Sequence, residues 1–268
     1  VDVVRMGVSD PLHGLTLTRA ERREVVFVAF GLVTPEKQIP AILRAFKKLG
    51  SDVPARLRLV GATVSHYDVA TDIRSLGLDE RVDLVGYVDD TALQFELLNA
   101  DVCLCLRWPT GRETSASWLR CLAAGKPTIV NTLTHLADVP VLDPHTCQPT
   151  QTAVGDAIGL TVDLLNQEES LRLAMRRLAT DPTLRATLGC RARAFWEQHH
   201  TLAAMAADYE RAIETAAVVH PNTVVELPKH FQGDATEHAR ALLGPFGVGV
   251  DILGTTGKVV TIKAFEKR

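Results

Sequence analysis

The feature that most constrains this chain is an alternation. Across residues 1–140, short apolar runs trade places with segments of helical period. Val25–Phe30 is a continuous apolar run ending at Gly31, the pattern of a strand buried on both faces. Pro40 opens a helical stripe of Ala41, Ile42, Leu43, Ala45, Phe46 and Leu49. Further strands are expected at Arg56–Val60, Val82–Val85, Asp101–Leu106 and Pro127–Val130, with helices at Val69–Leu76, Thr91–Asn99 and Ser115–Ala124. Strand and helix repeating over short connections predict an α/β domain, a doubly wound parallel sheet. In such sheets ligands bind beyond the carboxyl ends of the strands. Informative residues are therefore expected just after Phe30, Val60, Val85 and Leu106.

From Thr152 the pattern turns helical. Helices are expected at Ala153–Asn166 and Glu168–Ala179, then one opened by Asp181-Pro182, then a long amphipathic one at Ala192–Ala217. After His220-Pro221 the signal weakens to a short helix at Thr236–Leu243 and a strand at Lys258–Lys263. This divides the chain into a domain over 1–216 and an extension over 217–268 with no functional reading.

Composition excludes several classes. Lys+Arg 29 against Asp+Glu 32 leaves a net charge of −3, and aromatics are 5%. Neither a basic field nor a stacking platform is present, so nucleic acid is not an expected partner. No run approaches the ~18 apolar residues that span a bilayer. Five cysteines, without a CxxC pair or histidines at metal spacing, read as reduced thiols in a cytoplasmic protein. The chain opens at Val1 rather than a methionine, which allows for a segment upstream, and its first residues carry no leader pattern.

Two constellations point to chemistry. Trp108–Trp118 lies between the fourth strand and a helix, with Thr114, Ser115 and Ser117 at the helix start. Free N–H groups and the positive end of the helix dipole suit a phosphate or diphosphate there. Glu113 would stand beside that anion, which is costly unless its carboxylate points past it to ligand hydroxyls. The second is the loop Gly31-Leu-Val-Thr-Pro-Glu-Lys37, where Lys37 can bring a point charge to a phosphate. Neither a G-x-G-x-x-G fingerprint, a P-loop nor a G-x-S-x-G elbow occurs. His66 is a secondary candidate for a ligand contact. Asp89-Asp90 suits a metal or, more simply, a helix N-cap. His199-His200 are adjacent on a helix and cannot converge on one metal, so no metal site is expected.

Taken in order, Phe30–Lys37, Leu57–Gly61, Glu80–Val88, Leu97–Val102, Gly111–Ser115 and Leu122–Val130 resemble the donor-binding, C-terminal half of glycosyltransferase family 4, of the GT-B fold. The resemblance covers 1–216. It implies one Rossmann-like half of a GT-B fold, with the helix around Glu197–Arg211 closing it. It further implies a retaining transfer of a sugar from a nucleotide-diphosphate sugar, with no required metal or other cofactor. Lys37 would contact the donor diphosphate, with Gly31 and Thr34 in the same loop. Thr114, Ser115 and Ala116 would hold the diphosphate through backbone N–H groups, and Glu113 would meet the sugar hydroxyls. The base would lie against Tyr87 and Val88. Two positions depart from the family's pattern. Gly31 and Leu32 stand where a second diphosphate-binding arginine is usual, and Arg120 stands where a ribose-binding glutamate is usual, so Arg120 is assigned to the diphosphate. The acceptor, a glycan, lipid or small molecule, would bind mainly to an N-terminal domain absent from this chain. The implied location is cytoplasmic, with peripheral attachment at the inner membrane face as a variant. A non-catalytic nucleotide-sugar module, and a GT-B epimerase or phosphorylase, are the alternative readings.

Overall fold

The computed structural model describes residues 3–13, 24–111, 113–133, 136, 138–150, 155–218 and 236–249. The chain forms two compact units, Val1–Ala216 and Ala217–Arg268. The first is built on a six-stranded sheet of order β3-β2-β1-β4-β5-β6, every pairing parallel. Its strands are β1 (Val25–Phe30), β2 (Ala55–Val60), β3 (Val82–Gly86), β4 (Val102–Cys105), β5 (Thr128–Asn131) and β6 (Gly159–Val162). Its helices are α1 (Ile39–Leu49), α2 (Val69–Ser75), α3 (Asp90–Asn99), α4 (Ala116–Ala123), α5 (Gln167–Thr180), α6 (Pro182–His199) and α7 (Leu202–Val218). This is the doubly wound parallel sheet, with helices following, that the alternation predicts.

The period-2 geometry of β1 shows why both faces must be covered. Phe27 and Ala29 enter one core with α1, α2 and α5, through residues such as Ile42, Phe46, Ile73, Leu171 and Met175. Val26, Val28 and Phe30 point the other way, against Leu97, Cys121 and Ala124 of the α3 and α4 segments. A third cluster packs α4 on α6 through Leu119, Leu122, Ala192 and Trp196. At the α4–α6 crossing a Cβ on Gly189 would lie 2.4 Å from the Gly125 carbonyl oxygen, so only glycine permits that approach.

Two expected helices are corrected. Within Ala153–Asn166, residues Gly159–Val162 form β6, paired Thr128↔Gly159 through Asn131↔Val162, and a 3₁₀ turn follows at Leu164–Asn166. The alternation of Ile158, Leu160 and Val162 with Gly159 and Thr161 is too short to stand out against the helix-compatible run around it. Gly159 marks the difference, because a Cβ there would meet the Thr128 carbonyl oxygen at 2.4 Å. The long helix at Ala192–Ala217 is broken at His200-Thr201 into α6 and α7. There the Val8 N–H donates to the His200 carbonyl at 2.9 Å, and Thr201 Oγ1 accepts the Ala204 N–H as the cap of α7.

In the second unit α8 (Glu237–Leu243) occupies the expected short helix and runs into a 3₁₀ turn at Gly244–Phe246. The strand expected at Lys258–Lys263 lies outside the described residues. Among the described residues no helix is long and apolar enough to cross a membrane.

Candidate functional site

Strand order reverses direction between β1 and β4, and the crevice at such a switch point is where doubly wound sheets bind ligands. Here the crevice is a cavity of about 470 Å³. Phe30, Gly31, Val60 and Gly61 form its floor, Tyr87 and Val88 its rim after β3, and Leu93, Leu97, Ser117 and Arg120 its helical walls. The floor depends on two glycines. Gly31 has φ +93° and Gly61 φ +152°, and a Cβ on Gly61 would fall 2.0 Å from the Gly31 carbonyl oxygen. Side chains at either position would strain the turn or fill the crevice.

Lys37 lies directly behind Gly31, where a Cβ on the glycine would meet Nζ at 2.3 Å. The 3₁₀ turn Pro35–Lys37 brings it there, and Nζ donates to the Phe30 carbonyl at 2.6 Å. Burial pushes its pKa down, and the Arg107 charge adds to that. The Cys105 and Cys121 sulfurs sit 3.8 Å apart. Burial also raises the Cys121 thiol well above the usual cysteine range, so Cys121 stays protonated.

The start of α4 forms the second part of the site. Ser115 Oγ accepts the Trp118 N–H at 3.3 Å, while Thr114 and Ala116 are exposed just outside and inside the cap. Glu113 is exposed at the same end. Its Oε1 lies 2.6 Å from Arg107 Nη1, and its Oε2 accepts the Thr110 hydroxyl at 3.1 Å. A bond from its own backbone N–H, then the Thr110 hydroxyl and the Arg107 charge, hold the carboxyl below the usual range.

The expected residues thus fall into three groups. Gly31, Tyr87, Val88 and Arg120 line one cavity, with Lys37 behind its floor. Glu113, Thr114, Ser115 and Ala116 gather at the α4 start. Thr34 is buried, bonds the Glu36 carboxylate, and is not part of the cavity lining. Thr114 instead lines a second hollow of about 380 Å³ with Arg5, Trp118, His199 and His200. Arg120 Nη1 approaches Asp90 Oδ1 at 3.5 Å across the cavity mouth, and Asp89 caps α3 by accepting the Ala92 N–H at 2.8 Å. His66 is exposed and outside the cavity lining. His199 packs on Phe195, ring centroids 4.8 Å apart, and His200 Nδ1 bonds the Met6 carbonyl. Among the described residues no three His, Cys, Asp or Glu side chains are placed to hold a metal ion.

Arg107 is the site residue that sequence reasoning missed. The signal was available, since it directly follows Leu106, one of the strand ends where informative residues are expected. What no spacing rule gives is its reach to Glu113.

A family model described as "Glycosyl transferases group 1" matches residues 22–161, and the chain belongs to that family. Solved structures share its fold. The sucrose-phosphate synthase of Thermosynechococcus elongatus is 19% identical with a TM-score of 0.59, over 80% of this chain and 50% of that one. HepE of Anabaena, solved in complex with UDP and glucose, is 16% identical with a TM-score of 0.56, over 73% of this chain and 49% of that one. The C-terminal domain of the glycosyl transferase group 1 family protein LpcC from Francisella tularensis is 14% identical with a TM-score of 0.55. There the match covers 73% of this chain and all (100%) of that one. The chain spans about half the length of the first two. No curated protein matches it in sequence.

Proposed function

We propose that this chain is the donor-binding part of a retaining glycosyltransferase of family 4, acting on a nucleotide-diphosphate sugar. The observation that carries the reading is the switch-point cavity of about 470 Å³, flanked by Lys37 and by the capped start of α4. Its volume suits a small-molecule ligand. The base and ribose would occupy the cavity against Tyr87 and Val88. The diphosphate would meet Lys37, Arg120 and the N–H groups of Thr114, Ser115 and Ala116, and Glu113 would hold the sugar hydroxyls. Stabilising charge on the departing diphosphate is the chain's chemical task in that reading, performed by the lysine and the helix end without a required metal. The acceptor would be bound mainly by a further N-terminal domain. The UDP named in the HepE structure supports a nucleoside diphosphate as the ligand class.

A second reading, a nucleotide-sugar module without transfer, is favoured by Leu32. It is 56% exposed beside the cavity and brings no charge to a diphosphate. Both readings require the same binding. Thermal melting with saturating UDP, GDP, ADP or CMP tests it, since ligand at 100 times its Kd adds ~2.7 kcal/mol, about 5–10 °C for a domain this size. The expected result is a shift with one diphosphate, lost in Lys37→Ala and retained in His199→Ala. Flat curves with all four contradict the reading.

A further inference from the structure

The donor-site reading leaves an electrostatic problem, because the Glu113 carboxylate stands beside the helix start assigned to a diphosphate. We propose that Arg107 is a positioning residue that solves it, neutralising and aiming Glu113 without touching the phosphates itself. The inference rests on the donor-site reading above.

Three observations carry it. First, the pair is in place before any ligand arrives, with Arg107 Nη1 2.6 Å from Glu113 Oε1 and the Thr110 hydroxyl on the other oxygen. Both carboxylate oxygens are therefore directed from the loop side. Second, the arginine is anchored by its backbone, which leaves its side chain for the carboxylate. Its N–H donates to Asn131 Oδ1 at 2.6 Å, and Asn131 is 1% exposed at the end of β5. A backbone N–H requires an acceptor, so this bond fixes the amide's orientation, even though it leaves Asn131 Nδ2 without a partner among the described residues. The next residue is tied to the lysine turn, the Trp108 N–H donating to the Glu36 carbonyl at 2.8 Å. Third, the pair has little else to do. Its side chains are 47% and 41% exposed, and ion pairs at such sites contribute little to folding. An unpaired carboxylate beside a diphosphate would repel it, weakening binding by about fivefold for a contact of ~4 Å at solvent-like dielectric.

The test is a double-mutant cycle on the full 268-residue chain, titrated calorimetrically with UDP, GDP and ADP and followed with whichever binds most tightly. Arg107→Ala is expected to weaken binding about fivefold, because Glu113 is left charged and unpaired. Adding Glu113→Gln should restore it, so that the double variant matches Glu113→Gln within about twofold. A merely structural role for Arg107 would not be rescued by removing a charge elsewhere. If Arg107→Ala melts early, Arg107→Gln supplies the same comparison with the bulk retained. A double variant that stays several-fold weaker than Glu113→Gln overturns the inference, since Arg107 would then contact the phosphates directly. Wild-type affinity in Arg107→Ala overturns it as well, the pair being idle. Failure of the underlying site reading looks different, because wild-type protein would then bind none of the three diphosphates.

Discussion

At the scale of single residues, Lys37 joins the fold's local physics to the proposed chemistry. Burial against the floor of the crevice lowers its pKa, so the folded chain releases this proton at a lower pH than the unfolded chain does. Between the two values the unfolded state binds more protons, and the Lys37 contribution to stability therefore rises with pH up to the unfolded value. Diphosphate binding has the opposite dependence, because it needs the ammonium. Affinity should fall as pH rises through the lowered pKa, in alkaline buffers where an exposed lysine would still be charged. Titration from pH 7 to 10 checks this, and Lys37→Arg should flatten the profile. At pH 7, Lys37→Ala should cost about tenfold or more in affinity, the worth of a hydrogen bond to a charged group. The buried thiols nearby give a second expectation. Iodoacetamide should label exposed Cys190 first and spare Cys103 and Cys121, which a peptide map reads directly.

Elements explain what was legible in the sequence and what was not. β1, β2 and the stripe of α1 could be read because runs such as Val25–Phe30 end in glycines that force turns, and because Pro40 opens α1. β6 could not, because the alternation of Ile158, Leu160 and Val162 with Gly159 and Thr161 spans only five residues, and pairing with β5 decides between strand and helix there. The α6–α7 break was hidden because helical spacing of apolar residues continues across it, through Phe195, Leu202, Met205 and Tyr209. Its cause lies in residues far away in sequence, where Met6 and Val8 bond His200. That joint should be acid-sensitive. Burial lowers the His200 pKa, with His199 and Arg5 lowering it further and the Met6 bond and Asp138 opposing. The unfolded state then binds more protons below its own value near 6.5, so stability is lost as pH falls from there towards the folded pKa. His200→Asn should reduce that slope in melts between pH 7 and 5. Packing at the α4–α6 crossing gives a sharper test. Gly189→Ala would ordinarily favour a helix by up to ~1 kcal/mol, but here the methyl meets the Gly125 carbonyl. A net loss of about 1–3 kcal/mol is expected in chemical denaturation, the cost of overpacking.

Over the whole molecule, the parallel sheet places the ends of β1, β2 and β3 around one crevice, where Gly31, Tyr87, Val88 and Arg120 meet, with Glu113 to Ala116 at the start of α4. The doubly wound parallel class was legible because alternating elements admit few arrangements, while the sixth strand was not. The pairing of Arg107 with Glu113 was not, because it arises where two loops meet. The cavity is lined by residues of the first unit, Val1–Ala216. The central claim is that the crevice at the β1–β4 switch point holds a nucleoside diphosphate. Its most direct test is a crystal structure of the chain with the diphosphate that most raises its melting temperature. The base is expected beside Tyr87 and Val88, with the phosphates between Lys37 and the N–H groups of Thr114 to Ala116. A diphosphate found in the hollow beside His199, with the crevice empty, would contradict it.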